Sequence, residues 1–269
     1  MINSHFCKHF ITHYWSATRI DVLHSPFVFD LYNSCIKHGA SNSDFDAIEK
    51  LRSELQHDDR IIIQNDLGAG ADKGNIKKNT ISHFAKHHAK PARIAQIIYR
   101  LIGRCNYKNI IELGTSLGIS SCYEASALKR NFGSDEVNFT TIEGATEIAN
   151  IAAQNFRKMR LDNYIKLQVG NFDDVLPDVL KSYQTIDMAF VDGNHRYAPT
   201  ISYFKQFLTK KHNDSLLIFD DIYWSKEMTK AWEEIKLHPD VTVTIDLFFI
   251  GLVFFRKEQQ KEHFKLRIL

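Results

Sequence analysis

Acidic side chains collect where apolar runs of this sequence end. The run 109–114 closes on Glu112, Leu113 and Gly114, and 138–143 closes on Glu143. The run 186–193 closes on Asp192 and Gly193, and 215–222 on Asp220 and Asp221. Ligands of open α/β sheets bind outside the carboxyl ends of the strands, so carboxylates there point to a polar ligand and a cation. An all-oxygen set of this kind suits Mg²⁺, Mn²⁺ or Ca²⁺ better than zinc. His195 follows Asp192 by three residues and can take a proton near neutral pH.

Two glycine-bearing stretches compete as a cofactor loop. NDLGAGAD (65–72) follows the apolar Ile61-Ile62-Ile63 but leads into a polar stretch with no second strand to read. IIELGTSLGISS (110–121) follows a clear strand, opens a helix, and is succeeded by a strand that ends in Glu143, placed to accept hydrogen bonds from ribose hydroxyls. The second stretch is therefore the cofactor loop, and the first reads as a turn with glycines at positive φ. Gly114 and Gly118 stand four apart, so neither the G-x-G-x-x-G fingerprint nor a P-loop is present. Such a loop suits a cofactor with a ribose and a cationic part and no phosphates.

The elements that must position these residues form a β-α-β-α rhythm. Strands over 109–114, 138–143, 164–170, 186–193 and 215–222 alternate with amphipathic helical stretches, which predicts a parallel, doubly wound sheet. Ahead of it, 91–103 reads as a helix opened by Pro91 and closed by Gly103. Upstream, Ser25 caps a helix with Pro26 in its first turn and Gly39 at its end, and Val28, Leu31, Tyr32, Cys35 and Ile36 form its buried stripe. At the other end, a helix over WSKEMTKAWEEIK precedes two strand-like runs with too little chain between them for a crossover. Those two runs are antiparallel neighbours. Residues 1–90 thus read as a helical extension with a loop on the acceptor side, 91–257 as the core domain, and 258–269 as a tail.

Bulk properties narrow the function classes. Apolar residues make up 44% and charged residues 25%, which is a globular composition. A formal net charge of +2 gives no electrostatic case for nucleic acid. No apolar run approaches a membrane span, and the first residues show no signal-peptide apolar region. The scattered Cys7, Cys35, Cys105 and Cys122 then read as reduced thiols, and the location as cytoplasmic.

The motifs ELGTSLGIS, Glu143, VGNFDDVLP, FVDGNHRY and LIFDDI resemble the class I S-adenosylmethionine-dependent methyltransferases. Within that class they resemble the catechol and caffeoyl-CoA O-methyltransferase group and bacterial relatives with an Asp-Gly-x-His-x-Tyr motif. The resemblance runs from about residue 90 to 256. It implies a Rossmann-like, mostly parallel seven-stranded sheet with an antiparallel last strand. It also implies that Glu112, Gly114, Ser116 and Gly118 line the methionine side of S-adenosylmethionine, with Ser120 adding a contact. Glu143 would bind the ribose, and Asn171 and Phe172 would flank the adenine. Asp192 would sit by the sulfonium and join Asp220 and Asp221 as metal ligands. Where related metal-dependent enzymes often carry a lysine, this chain has His195, which leaves its role open between base, substrate contact and metal neighbour.

The implied reaction is an in-line displacement, in which a positioned hydroxyl oxygen attacks the sulfonium methyl and must lose its proton. The acceptor would be a small hydroxylated molecule, with Trp224 a candidate wall of its pocket. A non-catalytic S-adenosylmethionine-binding or partner-binding module of the same fold is the competing reading, and the glycine spacing disfavours an NAD-dependent oxidoreductase. Two histidine groups carry little weight as metal sites. His5, His9 and His13 recur at helical spacing, and His83, His87 and His88 read as a solvated basic face. The apolar N-terminal helices offer a surface for a homodimer. By the same resemblance, residues 65–79 form a mobile lid or acceptor-side loop.

Overall fold

The computed structural model describes residues 4–19, 22–37, 43–65, 76–133 and 136–268. Most of the 65–79 loop, and Gly39 with it, lies outside the described residues. The chain divides into two compact units, one of residues 1–37 with 183–269 and one of 38–182.

In the unit formed by 38–182, α3 (Ser43–Leu55) precedes a hairpin of β1 (Ile61–Asn65) and β2 (Ile76–Thr80). α4 (Ile81–His87) and α5 (Ala92–Cys105) follow. The alternating part then runs β3 (Asn109–Leu113), α6 (Ile119–Phe132), β4 (Asn138–Glu143), α7 (Thr146–Lys158), β5 (Lys166–Val169) and α8 (Phe172–Lys181). β3 pairs parallel with β4, and β4 with β5. α5 runs two residues past Gly103 and is closed by Asn106 in the left-handed region, φ 55°. Asparagine tolerates that conformation nearly as well as glycine, so the apolar stripe continued to Ile102 and set the length.

The polar segment beyond 75 begins with a strand that its composition did not suggest. β1 is followed by a second strand, and Ile61 pairs antiparallel with Thr80 and Asn65 with Ile76. A cofactor turn needs a parallel strand-helix-strand unit behind it, and a separate two-stranded antiparallel sheet does not supply one.

The other unit begins with α1 (Ser4–Ser16) and α2 (Pro26–Leu31), the latter continued by a π turn over Tyr32–Ile36. Ser25 accepts the Val28 amide, and the stripe Val28, Leu31, Tyr32, Cys35 and Ile36 is buried. After residue 183 come β6 (Ile186–Val191), α9 (Tyr197–Leu208), β7 (Lys211–Asp220), α10 (Lys226–Leu237), β8 (Val243–Asp246), β9 (Ile250–Phe254) and β10 (Glu262–Lys265). β6 and β7 are parallel, and β9 lies antiparallel to both β7 and β8. Gly251 in β9 makes room for α10: a Cβ there would stand 2.5 Å from the Trp232 ring, and Trp232 is only 1% exposed. Burying a side chain of that size contributes about 1.5–3 kcal/mol.

Among the described residues the main sheet has eight strands, in the order β10-β8-β9-β7-β6-β3-β4-β5, so it is mostly parallel, with β9 reversed. The eighth strand comes from the segment read as a tail, where Glu262–Lys265 pairs parallel to β8. Strands covered on both faces read as unbroken apolar runs. Met188 to Val191 and Leu216 to Phe219 are such runs, and all are buried. No described helix is long and apolar enough to cross a membrane.

α1 is fastened to its unit by a buried polar network. His13 Nε2 lies 3.1 Å from Asp246 Oδ1, and Tyr223 Oη donates to Asp246 Oδ2 at 2.5 Å. The Phe248 amide donates to Asp246 Oδ1 at 2.9 Å. Burial pushes the Tyr223 hydroxyl far above its ordinary value, with the Asp246 charge adding to it. His5 contacts Thr229 Oγ1 at 2.9 Å, and His9 stacks on the Tyr223 ring at 4.9 Å. The His5 and His9 rings lie 4.3 Å apart, and His9 and His13 both contact the Tyr223 ring. The histidines of α4 are exposed.

Candidate active site

The loop between β3 and α6 is held from two sides. The Gly114 amide donates to the Ile142 carbonyl at 3.0 Å, which keeps the loop beside β4. Ser116, in the left-handed region at φ 49°, donates its amide to Glu143 Oε2 at 2.8 Å. Glu143 Oε1 accepts the Ala145 amide at 2.9 Å. The Glu143 carboxylate therefore ties the loop to the end of β4 through both of its oxygens. A carboxylate oxygen can accept more than one donor.

Gly118 caps α6 at φ 81°. A Cβ on it would stand 2.5 Å from the Phe156 ring of α7 and 3.3 Å from the Ala152 Cβ. Glycine is required here by backbone conformation and by the approach of α7 together. Asn155 of α7 donates to the Leu117 carbonyl at 2.8 Å from a buried position, which fixes the same turn.

Glu112 is placed differently from a ligand-lining group. It is fully buried, and its carboxylate accepts Ser120 Oγ at 2.5 Å, Thr141 Oγ1 at 2.6 Å and also Ser121 Oγ. A buried carboxylate needs such donors to offset its lost hydration. Glu112 and Ser120 thus hold the first turn of α6 against β3 and β4. Ser121 and Thr141 belong to this cluster and were missed from sequence. The signal was available, since a hydroxyl-rich helix start follows an acidic strand residue. Further along, Asn171 caps α8 by accepting the Asp173 amide at 3.1 Å, and Phe172 opens that helix. A surface cavity of about 440 Å³, lined by Asp44, Ser126, Lys129 and Arg130 among others, lies toward the far end of α6 from Gly118 and contains none of these groups.

In the other unit, Asp192, His195 and Asp220 each offer a ligand atom, all within 4.8 Å of one another. His195 Nε2 lies 3.8 Å from Asp192 Oδ1. Asp220 is 2% exposed, and the other two are half-buried. The loop after β6 is shaped by Asn194, at φ 54°. Its amide group donates to Tyr203 Oη at 3.0 Å, and its Oδ1 accepts from the Arg196 guanidinium at 3.3 Å. Asp221 is not in the group. It turns left-handed at φ 53°, donates its amide to the Phe249 carbonyl at 2.7 Å and accepts the Trp224 amide at 2.9 Å. Trp224 is 40% exposed, with its ring 6.3 Å from Phe6 of α1. Tyr197 turns to α10, bonded to Glu234 and lying under Lys230 Nζ.

Residues 111–222, which include the glycine loop, Glu143, Asp192, His195, Asp220 and Asp221, match the family model for a methyltransferase domain. Residues 111–222 are thus similar to a methyltransferase domain over somewhat less than half of the chain. Over 119 residues it is 29% identical to the catechol O-methyltransferase of Niastella koreensis, covering 44% of this chain and 51% of that protein. The chain thus spans about half the length of that curated relative. Solved structures share the fold. The O-methyltransferase of Bacillus cereus in complex with SAH aligns over 88% of this chain and all of its own, with a TM-score of 0.56 and 17% identity. TomG of Streptomyces achromogenes, solved with SAM, covers 84% of this chain and 94% of its own at 0.56 and 17%. The SAH-bound methyltransferase PaMTH1 of Podospora anserina gives 0.59 over 87% and 97% at 11% identity. The glycine loop and Glu143 stand at the carboxyl ends of β3 and β4, where open α/β sheets take their ligands.

Proposed function

We propose that the chain transfers a methyl group from S-adenosylmethionine to a hydroxyl of a small-molecule acceptor. The observation that carries this is the Glu143 carboxylate, held by the Ser116 and Ala145 amides beside a glycine loop with no phosphate fingerprint. Glu143 would take the ribose hydroxyls. The loop from Gly114 to Gly118 would bear on the methionine part, and Asn171 and Phe172 on the adenine. Glu112 and Ser120 would act indirectly, by fixing the start of α6.

The Asp192, His195 and Asp220 group would serve the acceptor. Its donors fit a divalent cation: bonds of about 2.1 Å place cis ligands roughly 3 Å apart and trans ligands about 4 Å apart. Their 4.8 Å limit and the 3.8 Å His195–Asp192 separation are within a small side-chain adjustment of that. When bound, such an ion lowers the pKa of a hydroxyl and anchors it. Asp192 is also a candidate partner for the sulfonium, and His195 a candidate acceptor of the hydroxyl proton. Positioning of the attacking oxygen supplies much of the rate in a reaction of this type.

Calorimetric titration with S-adenosylmethionine tests the proposal directly. Micromolar binding by the full chain, followed by methyl transfer from labelled donor to a panel of phenols, sugars and hydroxylated amino acids, is expected. No cofactor binding by the folded wild type refutes it. Binding without transfer to any acceptor favours a non-catalytic module.

A further inference from the structure

We propose that His195, not Asp221, completes the cation site, and that the site selects a divalent first-row transition ion over Mg²⁺ or Ca²⁺. The inference rests on the acceptor role just proposed only for the purpose of the ion, not for its binding.

The donor set is the first argument. Asp192 and Asp220 each offer one carboxylate oxygen and His195 an imidazole nitrogen, the three mutually within 4.8 Å. Magnesium and calcium are hard cations that take oxygen ligands, whereas imidazole nitrogen suits the later first-row ions, with affinity rising from Mn²⁺ to Cu²⁺ and lower again at Zn²⁺. A mixed Asp, Asp, His set therefore shifts preference toward the transition series, and the Irving–Williams order predicts stronger binding of Co²⁺ or Zn²⁺ than of Mn²⁺.

The backbone is the second argument. Of the two consecutive aspartates at the end of β7, Asp220 is in the converging group and Asp221 is not. Asp220 is the last residue of the strand and is buried. Asp221 leaves in a left-handed turn that its own amide fastens to the Phe249 carbonyl at 2.7 Å. On the facing loop, Asn194 also adopts a left-handed conformation, and its side chain spans Tyr203 and Arg196. Tyr203 is itself fully buried, so the anchor is rigid. In the same loop, His195 Nε2 lies 3.8 Å from Asp192 Oδ1. Second partners of this kind orient ligands, and their loss typically lowers metal affinity about 10- to 100-fold.

The test uses the full chain stripped with a chelator, titrated with Co²⁺ and read by visible absorption, with calorimetric competition against Zn²⁺, Mn²⁺ and Mg²⁺. Wild type is expected to bind Co²⁺ more tightly than Mg²⁺, because imidazole nitrogen favours transition ions over hard cations. His195→Ala and His195→Asn should each weaken Co²⁺ by about 10-fold or more and shift its absorption bands, while Asp221→Asn stays within about threefold. Circular dichroism of each variant establishes that it is folded. Equal affinity for Mg²⁺ and Co²⁺ overturns the proposal. So does a loss in Asp221→Asn that matches the loss in His195→Ala, or absence of binding of every ion to wild type. S-adenosylmethionine binding is measured on the same samples. If it persists while the metal results fail, the cation inference falls and the methyl-donor reading stands.

Discussion

Glu143 at the end of β4 accepts the Ser116 amide at 2.8 Å, across 27 positions of sequence, and so couples the cofactor-loop backbone to a carboxylate. The same side chain would be asked to position a loop and to meet a ribose. Glu143→Gln keeps the shape but replaces one acceptor oxygen with a donor. Hydrogen bonds to charged groups contribute about 1.5–3 kcal/mol, so S-adenosylmethionine affinity should fall roughly 10- to 100-fold. Calorimetry decides it, and an unchanged affinity removes Glu143 from the cofactor.

Gly118→Ala should destabilise the fold by about 2–4 kcal/mol, combining overpacking with a left-handed backbone cost. The new Cβ would meet the Phe156 ring at 2.5 Å. Chemical denaturation measures the loss. Adding Phe156→Leu should restore part of it, because the steric share is relieved while the backbone share remains.

Asn194 distinguishes backbone from side-chain control of His195. Asn194→Gly preserves the φ of 54° but removes the bridge to Tyr203 and Arg196. Asn194→Ala removes both, and the left-handed conformation costs it a further ~1 kcal/mol or more. Co²⁺ affinity should therefore fall in the order wild type, glycine variant, alanine variant. Identical affinities in all three would show that the loop does not depend on this residue.

The Asp246 network predicts a large stability effect far along the chain from the glycine loop. Asp246→Ala leaves buried His13 and Tyr223 without their common acceptor. Breaking a buried pair from one side costs about 3–5 kcal/mol. Thermal unfolding of the variant should show it, and a change below about 1 kcal/mol, typical of surface ion pairs, would contradict the burial argument.

His263 sets a pH dependence. Burial lowers its pKa, and Lys236 and Lys261 add to the effect. Its neutral ring contacts Thr244 Oγ1 at 2.9 Å, between β10 and β8. A lowered folded-state pKa means the associated stability is fully present above the ordinary value of about 6.5 and is lost as pH falls through the folded value. His9 is shifted in the same direction, by burial first and by neighbouring positive charge. Unfolding midpoints should therefore decline on acidification below about pH 6.5, and His263→Asn should flatten the decline. A pH-independent midpoint over that range would count against both assignments.

Much of the fold was legible because its signals are local. The strand over Asn138–Glu143 coincides with the sequence reading, and Ser25 with Pro26 opens α2 as their chemistry dictates. Where the reading slipped, the signal was weak or degenerate. β10 is a short, polar strand, and only its pairing with β8 makes it one. β2 carries lysines and an asparagine, and its partner strand supplies the order that its composition lacks.

The sequence by itself determined which residue types stand at the strand ends, and therefore a polar ligand and the loop over 110–121. Periodicity and turn chemistry act over a few residues, so one dimension suffices to read them. Only the tertiary structure decided how those residues are used. It committed Glu112 to three hydroxyls, tied Glu143 to the Ser116 and Ala145 amides, and brought His195 rather than Asp221 to Asp192 and Asp220. Partner choice depends on distances of a few ångströms between chain-distant atoms, which burial and backbone conformation fix together.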